Sequence, residues 1–539
     1  MATQTSTEIA AVELDLMRSI SKTSHLTPAV HATRTSTDSH HSRASINDAE
    51  LSNLILPYGR SIIVIIQLAG INFLTSFASG LITVALPTMA ASLPLDSSLL
   101  VWPAAAFYLT SGTCMLVAGS FADVLGPRSV NLAGCFLIAV FTLACGFAQT
   151  GVQLIMFRAM QGIASALTFP SSISIVSRSL ESGKRRNIGF ASLGLAMPLG
   201  FSFGLVLGGV FVSGLGWRYG FYIGGAASFL LFPIGLWALP TIPHSNGQTS
   251  VRVRLAKDVD WIGASIASTS LALLSYVLTT LSDNVDNIKT ASNVALLIVS
   301  VGLIPAFVFW VSRQEKRGRP ALIPNSIWKK GAFATICVLV LLSNAVANCM
   351  ELFCSLFFQE VQGLSALQAS IRILPSMVVG IALNFLTGTF VSRVEAKYVV
   401  FVSSALCAGA PLLMAVIKPQ WPYWYDAFFA QLLAPLSVDM MFTVGLLVVS
   451  ESFPQQTQAL AGAVFNTVAQ LGTSVGLATT SVISSTVTRD SDFRSKESPA
   501  ALMEGYRATF WALFAWMVAA CIVGGFGLRK LGKVGEKRD

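Results

Sequence analysis

Runs of about twenty apolar residues, broken by short polar links, repeat along most of this chain. A hydrocarbon core about 30 Å thick is crossed by roughly twenty residues of α-helix, and inside it each backbone polar group has to be satisfied within the helix. The pattern therefore predicts spans at about 61–86, 99–121, 129–148, 154–176, 188–211 and 219–239. Two more are predicted at about 261–281 and 291–311, and a last group at about 332–358, 369–391, 398–417, 425–450, 458–487 and 507–528. The arrangement is six, two and six, fourteen spans in all, with the polar links 240–260 and 312–331 setting off the middle pair. The expected fold class is an all-α polytopic membrane protein: two six-helix halves, 59–239 and 332–528, joined by a central segment, 240–331, that carries two extra helices. Two packed halves with a substrate site between them are a recurrent transporter plan.

Composition agrees, since 53% of the residues are hydrophobic and only 11% charged, against about 25% charged in soluble domains. The surplus apolar surface has to face a lipid bilayer. A net charge of +9 could mark a nucleic-acid binder, but the basic residues sit in the links between apolar runs and form no patch, which argues against nucleic acid. With the N-terminus placed in the cytosol, the inward links and the C-terminal tail carry 21 of the 35 Lys and Arg, and the outward links 7. Cytosolic links hold the excess of positive charge, so both termini are expected inside. The strongest inward clusters are Lys184-Arg185-Arg186, the stretch from Arg313 to Lys330, and Arg529-Lys530. Residues 1–58, rich in Ser and Thr, read as a disordered cytosolic tail without a signal peptide, and 529–539 as a basic cytosolic tail. The His40-His41 pair reads as solvated. Eight cysteines fall inside apolar runs with no Cys-x-x-Cys pair, which favours packing over a disulfide framework or a metal site. No metal and no cofactor are expected.

Four segments carry chemistry. The link after the second span reads Gly119-Ser-Phe-Ala-Asp123-Val-Leu-Gly126-Pro-Arg128. Its glycines suit a tight turn, and Asp123 and Arg128 can latch neighbouring helix ends by charge and dipole. In the fourth span, Arg158-Ala-Met-Gln161-Gly162 puts a guanidinium inside an apolar run, where it needs partners or water, or else snorkels to the outer surface. The fifth span has Gly200, Gly204 and Gly208 at four-residue spacing, followed by Gly209, a face on which another helix can approach closely. Aromatic residues on the first two spans, Phe73, Phe77, Trp102, Phe107 and Tyr108, are candidates to grip an apolar substrate.

These segments resemble the major facilitator superfamily, whose loop after the second helix reads Gly-x-Leu-Ala-Asp-Arg-x-Gly-Arg-Lys. Asp123, Gly126 and Arg128 match it, while Phe121, Val124 and Pro127 depart from it. In that superfamily the Arg-x-x-Gln-Gly arginine, Arg158 here, faces the central cavity and is linked to proton transfer. The glycine stripe is similar to the Gly-x-x-x-Gly-Pro-x-x-Gly-Gly motif of antiporters, with Leu205 at the proline position. Further matches are Trp217-Arg218-Tyr219-Gly-Phe221-Tyr222, Asp260-Trp261-Ile-Gly263 and Gln359-Glu-Val-Gln362-Gly363-Leu-Ser365. From about residue 60 to 528 the chain looks like the fourteen-spanning drug:proton antiporter-2 family. Lys184-Arg-Arg-Asn187, Val438-Asp439-Met440-Met441-Phe442 and Ala461-Gly462-Ala-Val-Phe-Asn466-Thr467 resemble its fungal members that export toxins or secondary metabolites.

One departure bears on mechanism. Where the family often has an Asp in the first span, this chain has Ala78, and the first half holds only Asp96, Asp123 and Glu181, all read as lying in links. A proton carrier in the membrane then falls to Glu351 and Asp439, on the ninth and twelfth spans, which the resemblance places along the cavity together with Arg158 and Gln161. The reading is a monomeric, proton-coupled exporter of small, mostly apolar organic compounds working by alternating access. Its partners are the small-molecule substrate, protons and the bilayer, and its place is the cell membrane, with the vacuolar membrane as the alternative. A fourteen-helix importer, such as a carrier of iron-chelate complexes, is the rival reading, and a channel the other. A membrane-embedded acyltransferase or desaturase would need histidines near the membrane, and outside the tail only His244 remains. The chain is not expected to be an enzyme.

Overall fold

A computed structural model of the protein describes residues 56–529 apart from 94, 96–98, 182–183, 242–252, 254–258, 284–288, 320, 391–393 and 454. The tail 1–58 up to its last three residues, Asp96, His244 and the C-terminal tail after Arg529 lie outside the described residues. Every regular element that is described is helical. In chain order they are α1 (Tyr58–Ser92), α2 (Trp102–Leu125), α3 (Pro127–Phe147), α4 (Gly151–Ser179), α5 (Lys184–Ser213) and α6 (Arg218–Ala238). The pair α7 (Trp261–Asp283) and α8 (Ala291–Lys316) follows, then α9 (Gly331–Leu356), α10 (Ala366–Phe390) and α11 (Ala396–Val416). The last are α12 (Ala427–Leu433), α13 (Leu436–Ser452), α14 (Gln455–Asp490) and α15 (Pro499–Gly527). They supply fourteen stretches long and apolar enough to cross a membrane, the twelfth being α12 and α13 together.

Helix ends differ from the predicted links in informative places. Helix α2 continues through Asp123 to Leu125, so Gly119 and Asp123 are helical rather than part of a turn. Gly119 has open space where a side chain would be, and the turn is made by Gly126 alone, at φ +92°. A polar residue costs a helix little once it has passed the apolar layer, because the helix satisfies the backbone there as well as a loop would. For the same reason α9 runs on into a π-helical turn, Phe357–Val361, which takes in Gln359 and Glu360. The twelfth span is interrupted at Ala434-Pro435, where the proline ring removes a donor and crowds the carbonyl four residues back.

Packing follows the small residues. Gly200, Gly204 and Gly208 of α5 lie against the backbone of α1 at Phe73, Phe77 and Leu81, and Gly80 of α1 lies against α5 at Phe201 and Leu205. The first six spans pack chiefly on one another, as do the last six, and the two sets meet where α2 packs on α14 and α5 on α10. At the end of the bundle where α1 finishes, the amide of Gln359 donates to Val84 O (3.0 Å) and Ser370 Oγ donates to Leu205 O (2.9 Å) across the seam. Helix α7 packs on α8, α14 and α2. Asp260 fixes the start of that pair: its carboxylate accepts from Gly263 N, Trp310 Nε1 and Leu322 N at 2.9, 2.9 and 3.2 Å. Ser270 and Ser300 exchange hydrogen bonds of 2.8 Å between α7 and α8.

A candidate transport cavity between the two helix sets

A cavity of about 240 Å³ lies between the two sets and is lined by eight spans: α1, α2, α4, α5, α9, α10, the broken α12–α13 and α14. Its apolar wall includes Phe107, Tyr108, Phe169 and Phe201 from the first set, and Met377 and Phe442 from the second. The polar side chains come in helical stripes. Asn344, Asn348 and Glu351 occupy one face of α9, Asn466, Gln470 and Thr473 one face of α14, and Asn72, Thr75, Ser76 and Ser79 one face of α1. Each stripe follows the i, i+3 or i+4, i+7 spacing that keeps residues on one side of a helix. An apolar chamber with a few placed polar groups is the usual make-up of a small-molecule site.

Two carboxylates belong to this wall, Glu351 and Asp439, and both come from the second set. Asp439 stands one turn beyond the break at Pro435. It accepts from Asn384 Nδ2 at 2.9 Å, and it lies so close over Gly380 that a Cβ there would meet Oδ2 at 2.7 Å. Glycine at 380 is what lets the carboxylate lie back against α10. Glu351 makes no hydrogen bond among the described residues and is left to the cavity.

Arg158 is 0% exposed, so the guanidinium does not snorkel to the surface. It is held behind the wall by neutral groups: Nε donates to Pro103 O (3.0 Å), one terminal nitrogen to Gln161 Oε1 (2.6 Å) and the other to Ser79 Oγ (3.3 Å). The Phe107 ring lies 4.3 Å from its charged carbon. Gln161 in turn donates to Thr142 Oγ1 at 2.8 Å. The network joins α1, α2, α3 and α4, and it touches the cavity through Ser79 and Phe107, which line both.

Of the residues singled out from sequence, Glu351, Asp439, Phe107 and Tyr108 line the cavity. Arg158 and Gln161 stand one layer behind it. Phe77 is buried in the core, with its ring 3.5 Å from where a Cβ on Gly224 would lie. Trp102 is half-buried at the start of α2, its indole N–H without a partner among the described residues. Phe73 stacks on Phe203, ring centroids 5.7 Å apart, and Phe203 is on the exposed face of α5. Arg128 latches α3 to the end of α6, donating to Leu236 O (2.6 Å) and to Thr241 Oγ1. The asparagines of α9 and the polar stripe of α14 were missed, although their spacing inside apolar runs was there to be read. Asn348 donates to Thr473 Oγ1 at 3.2 Å and so ties the two stripes together.

Fourteen helices long and apolar enough to cross a membrane, eight of them lining one central cavity, are the architecture of a polytopic helical transporter. The sequence profile of the Major Facilitator Superfamily matches residues 68–477, and the chain belongs to that superfamily. It is 39% identical over 536 residues to MFS-type transporter 1 of Pyricularia oryzae, covering 90% of this chain and 87% of the relative. It is 27% identical to the low affinity ammonium transporter of Saccharomyces cerevisiae, over 76% and 77% of the two chains. The methylenomycin A resistance protein of Bacillus subtilis is 28% identical, over 81% and 90%. Among solved structures, an inward-facing, unoccupied bacterial homolog of the human lysosomal transporter Spinster superposes with a TM-score of 0.62 at 16% identity, covering 88% of this chain and 98% of that one. That last likeness concerns the fold alone.

Proposed function

We propose that this secondary transporter exports small, mostly apolar organic compounds in exchange for protons, with both termini in the cytosol and the cell membrane as its site. The observation that carries the reading is the composition of the cavity: an aromatic and aliphatic wall on both sides, with two carboxylates supplied by the second helix set alone. The wall suits an apolar ligand by area rather than by a fixed hydrogen-bond pattern. An ionisable side chain at membrane depth is a proton or ion site by default, and Asp439 and Glu351 are the acids in reach of the cavity. Alternating access would rock residues 59–239 against 332–528, with the glycine-lined contact of α1 and α5 as a rigid part of the first half. In this scheme the 119–128 segment, with Gly126 as its turn and Arg128 as its latch, governs one end of the pathway. The working unit in this scheme is the monomer, since described residues of one chain line the cavity on all eight spans.

A second reading has its own support. Two carboxylates without a cation among the cavity-lining residues would also suit a small cationic substrate, and one relative is named as an ammonium transporter. Flux of a compound panel into and out of proteoliposomes, with and without an imposed pH gradient, decides between them. Export requires saturable, gradient-driven movement of apolar organic compounds in the antiport direction. Movement of ammonium or methylammonium alone selects the second reading, and uptake of iron chelates alone would make the protein an importer.

A further inference from the structure

The described residues form another concavity, on the outside of the bundle between α11 and α15. Its walls are apolar: Phe401 and Ala405 from α11, and Phe514, Val518 and Ile522 from α15. Gly525 opens it towards the end of α15, because a Cβ there would meet the Phe401 ring only at 3.6 Å, an ordinary contact. At that same end stands Arg529, two residues past the last residue of the span, exposed, with its guanidinium 4.3 Å from the Phe526 ring. The sequence then adds Lys530, Lys533, Lys537 and Arg538 against Glu536 and Asp539.

We propose that this crevice seats one acyl chain of an anionic phospholipid, with the lipid phosphate on Arg529. Length supports the match. From Phe514 to Phe526 a helix rises about 18 Å, and one leaflet supplies about 15 Å of hydrocarbon, half of the whole core. A slot bounded by two helices orders a chain that a smooth helix face would leave fluid, and glycine at 525 keeps the slot open where the chain meets its headgroup. The guanidinium stands at headgroup depth, and its planar fork matches two phosphate oxygens in a way an ammonium does not. A basic cluster directly beyond a span draws anionic lipid on its own; the crevice beside it turns that general attraction into a seat. The inference is independent of what the central cavity carries and in which direction.

Native mass spectrometry of the full-length protein, released from nanodiscs of phosphatidylcholine containing a minor share of phosphatidylserine, tests the seat. The protein should retain phosphatidylserine over its share of the bilayer by about fivefold, the factor that one membrane-proximal cation supplies. Arg529→Gln should bring the retained ratio down towards that of the bilayer. Gly525→Leu and Ala405→Leu, which fill the slot from opposite walls, should lower retained lipid of both kinds, and the pair guards against one of them misfolding. No enrichment on the unaltered protein, or enrichment that Arg529→Gln leaves undiminished, overturns the proposal. Retention unchanged in both slot-filling variants also overturns it, since charge alone would then account for the binding.

Discussion

Replacing Gly204 by Ala should destabilise the bundle, whereas the same replacement at Gly194, ten residues earlier on α5, should not. An added Cβ at Gly204 meets the Phe77 backbone of α1, reaching its carbonyl oxygen and lying 2.8 Å from both its carbonyl carbon and its Cα. Those atoms belong to a helix and cannot turn away as a side chain could, so α1 and α5 have to part by about 1 Å to restore contact distance. Overpacking of this kind costs about 1–3 kcal/mol, more than the 0.5–1 kcal/mol or so that alanine gains over glycine inside a helix. The net expectation is a loss of about 1–2 kcal/mol. Gly194 has nothing within 4 Å of the same added atom, so Gly194→Ala keeps the whole helical gain. Six of the eight cysteines are buried, which makes a fluorogenic thiol reagent a direct reporter of thermal unfolding in detergent. A melting temperature for Gly204→Ala at or above that of the unaltered protein refutes the packing argument. So does an equal fall at Gly194. Because α5 also supplies Met197, Pro198 and Phe201 to the cavity, the Gly204 variant should lose transport as well.

Asp439→Asn should retain exchange of substrate for substrate yet lose uphill efflux driven by a pH gradient, with Glu351→Gln a milder case; unchanged uphill pumping by Asp439→Asn would make that acid structural. Arg158→Ala leaves Gln161 Oε1 unpaired in a buried site, at about 1–3 kcal/mol, so it should lower the melting temperature as well as abolish transport, and Arg158→Lys should rescue poorly because one ammonium cannot reach the three separate acceptors. Normal efflux by Arg158→Ala would remove it from the mechanism. Cysteines introduced in the 282–290 and 488–506 links should react with an impermeant thiol reagent added outside cells, and those in 182–187 or 320–328 should not; the opposite labelling inverts the orientation. Burial pushes the Asp426 carboxyl up to about 6, and neither of its oxygens has a hydrogen-bond partner among the described residues. Because its folded value lies above the unfolded one, its contribution is favourable at low pH and is lost as pH rises from about 4 to 6. Asp426→Asn should therefore raise stability by about 1–2 kcal/mol at pH 7.5, after discounting for nearby solvent, and leave it unchanged at pH 4; equal effects at both would refute this assignment.

The fourteen spans were legible because each is a long apolar run with no soluble alternative, and all fourteen recur in the structure. Their ends were not, because hydropathy marks where lipid stops and says little about where a helix stops. Asp123, Lys184-Arg185-Arg186 and Gln359-Glu360 have the polarity of links, yet all are helical. The break in the twelfth span was equally hidden. Pro87, Pro170 and Pro198 lie inside uninterrupted helices, so a proline at 435 could not by itself announce a gap.

Residue type found the acids of the cavity, but of the five aromatic candidates two, Phe107 and Tyr108, line it. Phe77 and Tyr108 look alike in sequence, yet Phe77 is buried in the core near Gly224 while Tyr108 lines the chamber, and only the rotation of each helix about its axis separates the two. Helical phase gave a better signal, since the stripes at 344, 348, 351 and at 466, 470, 473 point one way on each helix. That phase also recasts the part Arg158 can play. Three of its five N–H groups are engaged by Pro103, Gln161 and Ser79, and none of these partners is charged. Between the cavity and the guanidinium stand Ser79 and the Phe107 ring. Ser79 lies on α1 and Pro103 on α2, so movement between those helices changes the hold on Arg158 without any group crossing the cavity. In the proposed cycle, the position of α1 would then be the route by which Arg158 bears on the second half.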